Sequence, residues 1–302
     1  MINNPFSLAS FNQGKLLKEL STFGIGGPAL YHFEAKTIHD MQSALKLCKK
    51  ENLSYLVIGK GSNCLFDDRG YSGVVISNKI DFMETLNPGV FHVGAGYSFS
   101  LLGVKTARQH WAGLEFASGI PASIGGAVYM NAGANGAETS DTLTSVDYVT
   151  DEGELQVLTK DRLSFSYRSS SFQTLRGAIV GATFSLTPSK EARVKQIEII
   201  NYRKKTQPYG EKSAGCVFRN PVCSHAGALI DQSGLKGLQV GGAKVSEMHA
   251  NFIVNTSQAT ADDVNALITL IRERVKAKTG VELESEVRVI PYSTSSQQHA
   301  RI

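Results

Sequence analysis

The sequence predicts an α+β protein made of three consecutive units, and three features carry that expectation. An amphipathic helix followed by a short strand, a glycine loop and a second strand fills the first eighty or so residues. Near residue 83 the texture changes to strands interrupted by one helix and a long glycine-rich stretch. Gln207-Pro208-Tyr209-Gly210 then breaks the chain before another helix and strand pattern begins. The units are expected at 1–82, 83–206 and 207–292, with a polar, frayed tail at 293–302.

In the first unit, Thr37 with Asp40 three residues on reads as a capped helix start, and Ile38, Met41, Leu45 and Cys48 share one face over 37–52. Tyr55-Leu-Val-Ile58 is a short buried strand, and Val74-Val75-Ile76 is another. In the second unit, Val90 to Gly96 is strand-like, and a helix starts near Ser98 with Leu101, Leu102 and Val104. Ser145 to Thr150 and Ala178 to Leu186 are further strands, and 189–205 is a charged helix. The third unit carries a helix at Ala226 to Gln232, a strand at Phe252 to Val254 and a helix capped by Thr260 with Asp263. The apolar face of that last helix is Val264, Leu267, Ile268, Ile271 and Val275. A last strand is expected at Glu286 to Ile290.

Composition excludes several classes. With 302 residues, 42% of them hydrophobic, the chain can bury real cores and is not a disordered polymer. The opening residues lack a basic start followed by an unbroken apolar run, and no window approaches a membrane span, so a cytoplasmic protein without membrane contact is expected. Cys48, Cys64, Cys216 and Cys223 form neither a CxxC pair nor a metal-ligand rhythm with histidine; free thiols and no metal are expected. A net charge of +4 suits anionic small ligands and falls short of the basic stripe of a nucleic-acid binder.

The 29 glycines are more telling, because they bunch. In Gly59-Lys60-Gly61-Ser62-Asn63 two glycines let successive N–H groups converge on one anion while Ser62 and Asn63 add donors. A tight connection after a strand is the other reading. No Lys-Ser/Thr follows at Walker spacing, and no helix follows as a dinucleotide fingerprint requires. Gly119-Ile-Pro-Ala-Ser-Ile-Gly-Gly-Ala127 and Asn131-Ala-Gly-Ala-Asn-Gly136 would either let a flat ligand lie on bare backbone or pack as a structural loop against a sheet.

Seven motifs occur in order along nearly the whole chain: Thr22-Phe-Gly-Ile-Gly-Gly27, Gly59-x-Gly-Ser-Asn63, Gly119-Ile-Pro-x-Ser-x-Gly-Gly126, Asn131-Ala-Gly133, Tyr167-Arg-x-Ser-x-Phe172, Gly215-Cys-Val-Phe-x-Asn-Pro221 and Glu286-Val-Arg288. Together they strongly resemble the UDP-N-acetylenolpyruvoylglucosamine reductase family. The resemblance implies a flavin-binding fold of the vanillyl-alcohol oxidase type in the first two units, with a substrate-binding third domain. It implies non-covalent FAD held by Gly59, Lys60, Gly61, Ser62 and Asn63 and by Gly119, Ile120, Pro121, Ser123, Ile124, Gly125, Gly126 and Ala127. NADPH would be the co-substrate, a UDP-sugar the substrate, and a monomer the expected state. Residues 117–136 contain no histidine or cysteine, which opposes the rival within the fold, a covalently flavinylated oxidase.

By the same resemblance, the catalytic set is Arg168, Cys216 and Glu286. The family reaction leaves negative charge on an enolate, which a fixed cation must stabilise; the resemblance assigns this to Arg168, with Glu286 assisting. On residues alone, Arg168 reads more readily as half of a surface ion pair. Glu286, alternating with Val281, Leu283, Val287 and Val289, reads as the charged face of a half-exposed strand. Cys216 departs from the family's usual serine at the proton-donor position; a thiol, with a pKa of about 8.5, is the more willing donor. Arg219 is expected to lower that value, and the thiol to be open to thiolate-selective alkylation; the alternative is a packing cysteine. Tyr167, Arg219, Asn220 and His249 are the substrate-binding candidates. The set as a whole opposes a non-catalytic binding module. The short span between the Arg168 and Cys216 motifs resembles a compact family form without a covering loop.

Overall fold

The computed structural model describes residues 6–222 and 224–292; Cys223 and the tail expected at 293–302 lie outside the described residues. Three sheets organise the chain. The first is parallel, with Tyr71–Asn78 between Ala29–Ala35 and Tyr55–Ile58. A central parallel strand is covered on both faces, which is why Val74-Val75-Ile76 reads as an unbroken apolar run. Helix α1, Ile38–Lys50, buries Met41, Ala44, Leu45 and Cys48 against it. Its start is the expected capping box: the Asp40 N–H donates to Thr37 Oγ1 at 3.0 Å, and the Thr37 N–H to Asp40 Oδ2 at 2.9 Å.

The second sheet is antiparallel, in the order Leu155–Thr159, Leu143–Thr150, Gly177–Ser185, Val90–Gly94, Met83–Asn87. One face packs on α2, Phe99–Arg108, and α3, Ile124–Tyr129, through Phe91, Val93, Phe99, Leu102, Ile124 and Val128. Strand alternation sends Val149, Ala178 and Val180 the other way, into the core shared with α1. The two outer strands, Met83–Asn87 and Leu155–Thr159, had no apolar run to announce them, because their side chains are mostly exposed. Helix α4, Ala192–Thr206, leads to the Pro208 break.

In the third unit, Ser213–Cys216, Phe252–Asn255, Ala243–Val245 and Gln239–Val240 form an antiparallel sheet. It is covered by α5, Ala226–Gln232, and α6, Ala261–Thr279. All five apolar positions expected on α6 are buried, and its Thr260–Asp263 capping box is reciprocal. Phe23, Ile25 and Leu65 join the core of this unit from the first eighty residues.

The last strand differs from expectation in a way that matters. It spans only Arg288–Ile290 and pairs in parallel with Cys64–Phe66 of the first unit. Just before it the backbone changes partners: the Glu286 N–H donates to Val217 O at 2.7 Å, whereas the Arg288 N–H donates to Asn63 O at 3.0 Å. Glu286 therefore lies at the seam between units and not on a strand with a solvated face. Among the described residues, no helix is long and apolar enough to cross a membrane.

Candidate active site

A cavity of about 830 Å³ runs along the junction of the three units. One wall runs from Tyr55 to Cys64, so the whole of Gly59-Lys60-Gly61-Ser62-Asn63 lines it. The two glycines here are dictated by close approach. A Cβ on Gly59 would sit 2.0 Å from Ser123 Oγ, and one on Gly61, whose φ is +59°, 2.1 Å from Leu20 O. Lys60 Nζ donates to Ser98 Oγ at 2.9 Å, tying the loop to the N-cap of α2, and burial lowers the lysine pKa.

The second wall comes from Ile120, Pro121, Ala122, Ser123, Gly125 and Gly126. Ser123 caps α3, accepting from the Gly126 N–H at 3.3 Å. Three expected members of this wall do not line the cavity. Ile124 and Ala127, three apart on α3, turn into the core and are fully buried. Gly119 is set back, its carbonyl accepting from Tyr209 Oη at 2.9 Å and from Arg203 Nη2 at 3.4 Å.

Arg168, Cys216 and Glu286 all line this one cavity. Arg168 stands at the tip of a two-residue turn joining Phe165–Ser166 to Ser169–Ser170, in the left-handed region at φ +56°. Its Nε donates to Glu286 Oε1 at 2.9 Å and its Nη2 to Gly133 O at 2.8 Å. The guanidinium also lies over the Tyr167 ring, 4.7 Å from its centroid. Side-chain exposures of 18% and 15% make Arg168–Glu286 a largely enclosed pair and not a surface bridge. Burial raises the Glu286 pKa, and the Arg168 cation, with Arg219, only partly restores it.

Cys216 is pushed up to about 12, first by burial and then by the Glu286 carboxylate; the cations opposing this are Arg168 and Arg203. The expected lowering by Arg219 does not occur. The Arg219 N–H donates to Glu284 O at 2.9 Å, and its Nη1 lies 3.9 Å from the Glu284 carboxylate. The thiol is thus held neutral, keeping its proton and poor as a nucleophile. Iodoacetamide should modify Cys216 of the free protein more slowly at about pH 8 than an ordinary cysteine, with the rate climbing toward about pH 12. Mass spectrometry of the Cys216 peptide over a pH series checks this, and a plateau near about pH 9 would contradict it.

The substrate-binding candidates flank the cavity and do not line it. Tyr167 is 42% exposed, and its hydroxyl accepts from the Asn220 N–H at 3.2 Å, joining the Arg168 turn to the third unit. Asn220 Oδ1 accepts from the Ala226 N–H at 3.0 Å, at the start of α5. His249 Nδ1 accepts from the Asn251 N–H at 3.2 Å, and its ring packs on Phe252, 4.9 Å away, with burial lowering its pKa. Phe252, not His249, reaches the cavity. Lining residues that the sequence did not single out include Tyr129, Tyr148, Gln173, Arg203, Gln207 and Arg288. Arg288 stood in a recognised motif without a role, and Arg203 was hidden in a charged helix. The hydroxyls of Tyr129 and Tyr148 are buried with no hydrogen-bond partner among the described residues, so the cavity offers them to a ligand.

Comparison with known proteins covers both halves of this arrangement. Residues 29–159 match the FAD binding domain family, and 207–290 match the UDP-N-acetylenolpyruvoylglucosamine reductase C-terminal domain. The chain is 62% identical over 280 residues to the UDP-N-acetylenolpyruvoylglucosamine reductase of Protochlamydia amoebophila, covering 93% of this chain and 94% of that one. It is 45% identical to the Chlamydia pneumoniae enzyme of the same name, over 91% of this chain and 90% of the relative. Among solved structures, the UDP-N-acetylenolpyruvylglucosamine reductase of Thermus caldophilus superposes with a TM-score of 0.79 at 37% identity, covering 93% of this chain and 100% of that one.

Proposed function

This chain belongs to the UDP-N-acetylenolpyruvoylglucosamine reductase family, an oxidoreductase family with an FAD-binding domain that serves peptidoglycan precursor synthesis; from that membership we propose that it reduces UDP-N-acetylglucosamine enolpyruvate to UDP-N-acetylmuramate with electrons from NADPH. The observation that carries the proposal is the Arg168–Glu286 pair and the neutral Cys216 thiol lining one cavity with both glycine-rich loops.

The residues present fit FAD. Bare glycine backbone, the donors Ser62 and Asn63, the Lys60 ammonium and the unpartnered Tyr129 and Tyr148 hydroxyls suit a large, flat, anionic cofactor. Gly59 to Asn63, with Ile120 to Ser123, Gly125 and Gly126, would hold it without a covalent bond. When bound, FAD supplies hydride transfer, from NADPH to the terminal carbon of the enolpyruvyl double bond. Arg168 then faces the negative charge that spreads toward the substrate carboxylate, and its guanidinium is already aimed by Gly133 O and Glu286. Glu286, held beside Arg168 by its hydrogen bond, assists at the enolate stage. Cys216 gives its proton to the carbon bearing the ether oxygen, so one hydride and one proton saturate the double bond. Tyr167, Arg219, Asn220 and His249 are left to the UDP portion at the rim. The expected units, 1–82, 83–206 and 207–292, and a monomer in the cytoplasm complete the reading.

An anaerobic titration tests it. Adding NADPH should bleach the yellow flavin, and UDP-N-acetylglucosamine enolpyruvate should then restore the colour while UDP-N-acetylmuramate forms. Persistence of the bleached state after substrate addition would overturn the assignment.

A further inference from the structure

Arg168 occupies a backbone position that an arginine rarely takes. In the turn Ser166-Tyr167-Arg168-Ser169 it stands third, at φ +56°, where glycine or asparagine is the usual choice. Such a conformation persists only when the surroundings over-determine it, and the surroundings here centre on one side chain. Gln173 Nε2 donates to Arg168 O at 3.1 Å and to Tyr129 O at 3.1 Å. The Tyr129 carbonyl, at the last residue of α3, also receives Ser170 Oγ at 2.7 Å. The two N–H groups of one amide thus bridge the strained turn to the end of the helix that carries the second glycine wall. Because the accepting atom is Arg168's own carbonyl, the bridge holds the 168–169 peptide plane, and with it the direction of the guanidinium toward Glu286 and Gly133.

We propose that Gln173 is the positioning residue of the active-site arginine: its side-chain amide holds Arg168 in the left-handed conformation that aims the guanidinium into the cavity. This rests on the catalytic reading of Arg168 given above. Gln173→Ala should keep the fold, since the side chain is only half-buried, but release the turn. Gln173→Lys keeps a donor of comparable reach.

The test uses the full-length, FAD-loaded protein. Gln173→Ala should slow substrate reduction about 100-fold, the scale of a misplaced catalytic group, with flavin content and flavin reduction by NADPH unchanged; Gln173→Lys should recover most of the rate. In an Arg168→Ala background, Gln173→Ala should cost nothing further, whereas an equal loss in both backgrounds would overturn the proposal. A second readout does not depend on turnover. The Nε–H resonance of Arg168, assigned by its loss in Arg168→Lys, should be sharp and shifted by its carboxylate partner, and should broaden or move in Gln173→Ala. An unchanged resonance overturns the positioning role. Unaltered turnover in Arg168→Ala would instead remove the catalytic reading while leaving the resonance to decide the role of Gln173.

Discussion

Replacing Cys216 with alanine is expected to leave reduction of the bound flavin by NADPH intact and to slow the oxidation of reduced flavin by the sugar substrate about 10²–10⁴-fold, the range a positioned general acid contributes. Stopped-flow absorbance separates the two half-reactions, and equal rates in the alanine variant and the parent would remove Cys216 from the mechanism. Cys216→Ser should retain substantial turnover, since a hydroxyl keeps a proton at nearly the same place. The thiol's environment keeps its proton in place and disfavours nucleophilic attack. Burial and the Glu286 carboxylate hold its pKa at about 12, so it stays protonated through the neutral range and its own ionisation imposes no limb on the pH profile there.

Arg168→Ala should lower the substrate half-reaction about 10²–10³-fold, the loss seen when a group stabilising a developing oxyanion is removed, again sparing flavin reduction by NADPH. It should also change how stability depends on pH. The Glu286 carboxyl already sits above its ordinary pKa, because burial outweighs the pull of Arg168, and deleting that cation raises it further. A carboxyl whose pKa is raised in the folded state binds more protons there than in the unfolded chain. Its contribution is fully present below the unfolded pKa and is lost as pH rises through the folded one. The unfolding midpoint of Arg168→Ala should therefore lie close to the parent's under acid conditions and fall progressively below it toward neutrality. A pH-independent difference would show that Glu286 does not depend on Arg168 for its charge. Proton uptake by Glu286 relieves the unpaired carboxylate, so the catalytic loss should exceed the loss of stability.

Much of the fold was legible because local physics wrote it. Thr37 and Thr260 announce their helices through reciprocal caps, and Val264, Leu267, Ile268, Ile271 and Val275 fall on the buried face that a 3.6-residue period requires. Val74-Val75-Ile76 is continuous because a central parallel strand is covered on both sides. Met83–Asn87 and Leu155–Thr159, at the sheet edges with exposed side chains, leave no such mark. Within the glycine stretch, position alone could not separate Ile120, Pro121 and Ser123, which line the cavity, from Ile124 and Ala127, which a turn of α3 rotates into the core.

The site divides in the same way. Arg168, Cys216 and Glu286 were singled out by motifs and not by their surroundings; on residues alone each had an ordinary explanation. What the sequence by itself determined was the set of elements, the glycine-rich loops and the family to which their order belongs. Only the tertiary structure decided the electrostatics. It turned Glu286 from an apparent solvated face to the seam where the backbone passes from Val217 to Asn63. It placed Arg168, and not Arg219, beside that carboxylate at hydrogen-bonding distance, and raised the Cys216 thiol instead of lowering it. The reason is physical: periodicity and capping act over a few residues and leave a local trace, whereas desolvation and charge pairing depend on groups more than a hundred positions apart along the chain, as Arg168 and Glu286 are, and no stretch of sequence records them.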